Sequence, residues 1–160
     1  FQAYIPIRTK DVKEHSLNVE FLGWYIKWDP QEIYYYAAKN CGYEVDDQRT
    51  DSTYGRYTGL DDKFEWLHFF CQYIKFGIGR CRLDCSQEIR NGHITREEGI
   101  LLCKKYEGKV PQRYINDCFK FMGISEEEAW KIIDNFRTPH LWRKESNEWV
   151  RLQELEELNL

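Results

Sequence analysis

The densest grouping with chemical potential lies between positions 75 and 82, where Lys75, Gly77, Gly79, Arg80 and Arg82 fall at the junction of two helical patterns. Backbone N–H groups, a helix N-terminus and guanidinium forks can meet an anion at such a junction. A phosphate or a nucleotide sugar diphosphate would suit it; the competing account is a simple helix turn with solvated charges. Arg90 lies farther along the second pattern, and Asp84 and Glu88, four residues apart, share one of its faces. A carboxylate on a pocket wall can orient ammonia or accept its proton. An intrahelical pair with Arg80 or Arg82 would instead make both acids structural.

Six cysteines stand at positions 41, 71, 81, 85, 103 and 118. If helices 62–76 and 80–91 form an antiparallel pair turning near residue 78, Cys71, Cys81 and Cys85 can meet beside His68, as a zinc or iron–sulfur site requires. Reduced thiols packed as small hydrophobes are the preferred account, so no metal is expected. His68, among Trp66, Phe69 and Phe70, reads as a core or supporting residue. The polar stretch 44–60 exceeds the usual connection length, and its Arg49, Tyr54, Arg56 and Tyr57 suit a binding loop.

These groups must be positioned by one domain's worth of chain. The 160 residues are 42% hydrophobic and 31% charged, which excludes disorder, collagen and a small disulfide scaffold. No apolar run approaches a membrane span, and residues 1–10 (FQAYIPIRTK) have no signal-peptide pattern, so a cytoplasmic protein without membrane contact is expected. Residues 1–62 and 114–160 each carry a net charge of −4, whereas residues 63–113 carry +4. A basic centre between acidic flanks suits an anionic small molecule better than nucleic acid.

Helical punctuation dominates after residue 29. Asp29-Pro30 with Glu32 opens a helix that Gly42 closes. Thr95 and Ser125 each precede a Glu by three residues, as in a capping box, and Asp62 is read as a cap with Glu65. Gly92, Gly108 and Gly123 mark helix ends, and Pro111 fits a first turn. The expected helices are 30–40, 62–76, 80–91, 96–107, 111–122 and 126–136. Residues 19–27 (VEFLGWYIK) look like a strand apolar on both faces, as in a parallel sheet. Such a strand needs partners that the rest of the chain does not offer. A short C-terminal hairpin around Ser146-Asn147 is also expected.

The segments FLGWYIKWDPQE (21–32), YTGLDDKFEWLH (57–68), IKFGIGR (74–80), QEIRNGHITREEG (87–99), KKYEGKVP (104–111) and FRTPHLWRK (136–144) resemble, in order, the C-terminal part of the N-acetyl sugar amidotransferases. Asp61, Asp62, Lys63 and Asp84 lie within that resemblance. It implies kinship with the pyrophosphatase-loop ATPases of the adenine nucleotide alpha-hydrolase-like superfamily. In such enzymes ATP, with Mg, activates the acetamido oxygen of a nucleotide sugar. Ammonia from a glutaminase partner then displaces AMP and leaves an acetamidino sugar for lipopolysaccharide O-antigen or for pseudaminic or legionaminic acid glycans.

The Ser-Gly-Gly-x-Asp-Ser pyrophosphate loop of that superfamily is absent from this sequence, and Gly77-Ile78-Gly79-Arg80 is too short to replace it. The expected fold is therefore mainly α, a helical C-terminal region with one N-terminal strand belonging to an α/β Rossmann-like sheet and a short C-terminal hairpin. Its expected parts are 1–29 as the end of a nucleotide-binding domain, 30–138 as the helical domain and 139–160 as hairpin or tail. The chain alone should bind no ATP and should depend on an N-terminal nucleotide-binding half. The alternative is a non-catalytic helical module that docks a partner protein through Trp and Tyr residues. The similar positions in the family carry small residues at 81 and 85, which favours packing for those cysteines.

Overall fold

In the computed structural model, which describes residues 5–152, the punctuation sets the helices. A short α1 (Thr9–Glu14) precedes α2 (Pro30–Cys41). The Asp29 carboxylate accepts the Glu32 N–H at 3.3 Å, and the chain leaves α2 through left-handed Gly42. Asp62 caps α3 (Phe64–Phe76) by accepting the N–H groups of Phe64 and Glu65. Next come α4 (Arg80–Asn91) and α5 (Arg96–Tyr106), the latter opened by a complete Thr95/Glu98 capping box. Then follow α6 (Ile115–Met122) and α7 (Glu126–Asn135), capped by the Ser125 hydroxyl. Helix α6 starts four residues after Pro111, because the Gln112 N–H is taken by the Asp51 carboxylate at 2.9 Å.

Residues 19–27 form no strand, and among the described residues there is no Rossmann-like sheet. With no neighbouring strand to pair with, the backbone closes on itself as a 3-10 turn at Leu22–Trp24, where the Phe21 and Leu22 carbonyls accept the N–H groups of Trp24 and Tyr25. The apolar side chains are left outside: Val19, Phe21, Leu22 and Trp24 are all exposed, Trp24 by 88%. The one sheet among the described residues is the C-terminal hairpin, β1 (Trp142–Glu145) with β2 (Glu148–Arg151), Trp142 opposite Arg151. Its turn residues Ser146 and Asn147 both have positive φ (45° and 78°), the two-residue geometry that matches strand twist.

The main core gathers around α3, whose Leu67, Phe70 and Ile74 recur at helical spacing on one face. Against them pack Ile115, Cys118 and Phe119 of α6, Ala129 and Ile133 of α7, and Trp142 of the hairpin. The Trp142 indole N–H donates to the Ile74 carbonyl at 2.7 Å, so the hairpin also closes the end of α3. Helices α4 and α5 form an antiparallel pair with a second, smaller core of Cys81, Cys85 and Cys103. Gly99 permits their close approach: a Cβ there would stand 2.9 Å from Ile89 Cδ1 and 3.4 Å from Cys85 Cβ.

The long polar stretch before α3 is built into the body. Thr50, Ser52 and Thr53 are fully buried, and each hydroxyl donates to a specific acceptor. Ser52 reaches the Lys109 carbonyl and Thr53 the Asp84 carboxylate, at 2.8 and 2.6 Å, so the loop is stitched to the α5–α6 connection and to α4. These three buried hydroxyls are thereby satisfied without regular secondary structure. No helix among the described residues is long and apolar enough to cross a membrane.

Candidate functional site

The sequence-read anion junction is occupied from within. Gly77 ends α3 in the left-handed conformation (φ 70°), and Gly79 precedes α4 in an extended one. The anion facing these amides is the Glu107 carboxylate at the end of α5. It accepts the Gly79 N–H at 3.0 Å, the Arg82 N–H at 3.3 Å and the Arg82 guanidinium at 2.9 Å. Arg151 of β2 adds a second guanidinium at 3.7 Å and donates to the Gly77 carbonyl. Burial raises the Glu107 carboxyl above its ordinary range, with Arg82 and the Gly79 amide opposing. Lys75 is separate from this cluster: it lies over the rings of Phe76 and Phe136, on the rim of an apolar groove of about 370 Å³ between α3, α6 and α7. Arg90 bonds Ser86 and Gln87 on its own helix.

Arg80, Asp84 and Glu88 do come together. They line a cleft of about 50 Å³ with Tyr54, Tyr57, Thr58, Gln87 and Pro30. Arg80 stacks over the Phe69 ring and donates to Asp84 at 2.8 Å, while Thr53 donates to the other Asp84 oxygen. Tyr57 donates to Glu88 at 3.5 Å. Burial pushes both carboxyls up, against Arg80 and Thr53 at Asp84, and against His93 and Tyr57 at Glu88. Burial also pushes the Tyr57 hydroxyl up to about 12 and raises Tyr54 further. A space of this size takes one or two molecules as small as water or ammonia, not a sugar. Raised carboxyls and phenols therefore line a space of that size.

The loop residues serve the same wall. Tyr54 packs on the second core, Arg49 lies over the Tyr106 ring at 4.8 Å and donates to the Thr50 and Thr53 carbonyls, and Arg56 holds the Asp46 carbonyl. Stacked rings of Tyr34 and Tyr57, 5.0 Å apart, tie α2 to the cleft, as does the buried Asp29, which meets His93 at 3.0 Å. His68 is exposed, edge-on to Phe69.

The expectation of no metal is corrected by the cysteines. Cys81, Cys85 and Cys103 are all buried, with their sulfur atoms within 4.8 Å of one another, and Cys81 and Cys85 only 3.9 Å apart. The set differs from the one read in sequence. Cys71 faces the main core, because α3 turns that side toward α6 and α7, and Cys103 takes its place because α5 is the antiparallel partner of α4. The neighbouring Cys103 and Cys81 thiols draw the Cys85 thiol below its ordinary range. The contacts with Cys103 and Cys85, then burial, raise Cys81. Cys103 is pushed up to about 11, the Cys85 bond and burial outweighing the bond with Cys81. Three buried sulfurs this close together are a soft-metal donor set.

For ATP the fit is poor. Among the described residues the only glycine-flanked helix start with converging amides, at Gly79, is filled by Glu107, and no nucleotide-binding loop is present. Glu107, Thr53 and Cys103 were not singled out as site residues in the sequence reading. Cys103 alone had a readable signal: it and Cys85 are each nine residues from Ile94, in the turn between α4 and α5. No curated protein matches the chain. Residues 51–156, from the buried loop through the hairpin, match the family model described as LPS biosynthesis protein WbpG-like, C-terminal domain. With well over half of its length matched, the chain belongs to that family.

Proposed function

We propose that this chain is the acceptor-side, C-terminal part of an ATP-dependent N-acetyl sugar amidotransferase that makes acetamidino sugars for surface polysaccharide. The observation that carries the reading is the family match over residues 51–156, which ties the helical body to lipopolysaccharide biosynthesis. The ordered resemblance of segments 21–32 to 136–144 supports the finer assignment. Activation by ATP and Mg falls to a nucleotide-binding half, since the described residues offer no loop for it. The exposed Phe21, Leu22, Trp24 and Trp28 are apolar surface where that half can dock. Ammonia would arrive from a glutaminase subunit.

Within this reading the Arg80, Asp84, Glu88 and Tyr57 cleft has the size and polarity for ammonia, with Asp84 and Glu88 to orient it or take its proton. Lys75, Gly77, Gly79, Arg82 and Arg90, with Arg49, Tyr54 and Arg56 of the loop, are proposed to shape the surface facing the nucleotide sugar. The test uses the intact enzyme with a nucleotide N-acetyl sugar, ammonia and ATP, following amidine formation by mass spectrometry. Glu88→Gln and Arg80→Ala should lower amidine formation at least tenfold while sugar-dependent ATP–pyrophosphate exchange persists. Unchanged amidine formation in both variants would remove the cleft from the mechanism. The exposed aromatic surface also favours a second reading, a helical interaction module; absence of exchange with any nucleotide sugar would select it.

A further inference from the structure

We propose that Cys81, Cys85 and Cys103 form a three-thiolate site for a thiophilic divalent cation, with Zn²⁺ as the type ion. The fold does the assembling. Spacing of four residues sets Cys81 and Cys85 on one face of α4, and the antiparallel α5 brings Cys103 across. Gly99, one turn before Cys103, lets the backbones approach closely enough for the third sulfur to join, since any side chain there meets Ile89 and Cys85. Sulfurs bound to one zinc at about 2.3 Å stand about 3.8–4.0 Å apart. The Cys81–Cys85 separation of 3.9 Å already satisfies that, and all three atoms lie within 4.8 Å of one another, so the third needs a shift of less than ~1 Å. Sulfurs that ligate different irons of a cluster stand farther apart, so the spacing selects a single ion.

The surroundings suit a charged thiolate centre. On the loop side, Tyr54 packs against the sulfurs with a buried hydroxyl that has no hydrogen-bond partner among the described residues, a donor placed to hydrogen-bond a thiolate. The buried Arg82 Nε also lacks an acceptor among the described residues. A groove of about 400 Å³ between α4 and α5 reaches Cys85 and Cys103 past Arg82, Arg90 and Gly99. It gives an ion a way in and leaves a fourth coordination position open to water or to a substrate atom. Loading replaces the thiol protons by the cation: each protonated cysteine releases one proton, and no redox step is involved.

The experiment loads the reduced 160-residue chain anaerobically with Co²⁺ and then Zn²⁺. One Co²⁺ per chain should bind with a thiolate-to-cobalt charge-transfer band, and Zn²⁺ should displace it. Cys85→Ala and Cys103→Ala should weaken binding on the order of 100-fold or more, with far-ultraviolet circular dichroism unchanged, whereas Cys71→Ala and Cys41→Ala should bind as the parent does. X-ray absorption on the zinc-loaded parent needs no variant and should count three sulfurs at about 2.3 Å. A folded parent without the band, a band that survives Cys103→Ala, or a zinc shell of nitrogen and oxygen alone would each overturn the proposal.

Discussion

The Glu107 carboxylate accepts the Gly79 N–H at 3.0 Å, so the anion at the N-terminus of α4 is a side chain from the end of α5. The contact joins two helix ends through charge: Glu107 is almost fully buried and pairs with Arg82 and Arg151. A cluster of glycines and arginines that reads as a phosphate cradle thereby becomes a structural joint.

Removing one partner of such a buried pair leaves the other charge uncompensated, which costs about 3–5 kcal/mol. Glu107→Ala should therefore lower stability by that order in urea denaturation, and inorganic phosphate should restore part of the loss by entering the vacated position. A variant within ~1 kcal/mol of the parent would show that Arg82 finds compensation elsewhere.

Gly108 combines a φ of 74° with a Cβ position 2.4 Å from the Tyr73 ring. Both the left-handed backbone and the ring oppose a side chain. Gly108→Ala should cost about 2 kcal/mol or more, read from the denaturation midpoint.

Thr53 is fully buried and donates to Asp84 at 2.6 Å. Thr53→Val keeps the shape and removes the donor, so it should destabilise by about 1–3 kcal/mol and raise the Asp84 carboxyl still further, observable by carboxyl NMR titration. An unchanged Asp84 titration would mean the hydroxyl is not a donor in solution.

Acid titration should separate two kinds of carboxylate. Glu88 is raised by burial, so its contribution to stability is fully present below the unfolded value and is lost as pH rises through the folded one. Asp46 is held well below its ordinary range, first by the Arg113 guanidinium, so its contribution is present above the unfolded value and is lost as pH falls. Relative to the parent, Glu88→Gln should gain stability as pH rises above about 4, near the unfolded carboxyl values, whereas Asp46→Asn should carry its full deficit there and approach the parent as pH falls below about 4. Denaturation midpoints across pH 3 to 7, a window that brackets those values, check both signs.

The hairpin turn offers a gain. Ser146 and Asn147 both hold positive φ, where Asn-Gly is preferred. The Ser146→Asn, Asn147→Gly double variant should raise stability by about 0.5–1 kcal/mol, seen as a higher melting temperature.

Local chemistry was legible in the sequence because caps and turns are decided within a few residues. Asp29, Thr95 and Ser125 start helices where their hydroxyls and carboxylates meet N–H groups three residues on, and Ser146-Asn147 turns the hairpin. The pairing of elements was not legible. Residues 19–27 have strand composition, yet a strand exists only with a neighbour to bond, and the neighbours among the described residues are helices. The same limit governed the cysteines: Cys71 and Cys103 are both at hairpin-compatible distances from Cys85, and only the packing of α4 on α5, closed at Gly99, chose Cys103. Glu107 could not be told from any solvated acid until the fold carried it to Gly79 and Arg82. Spacing along the chain determined which faces exist; burial, which depends on all the elements at once, decided which of them meet.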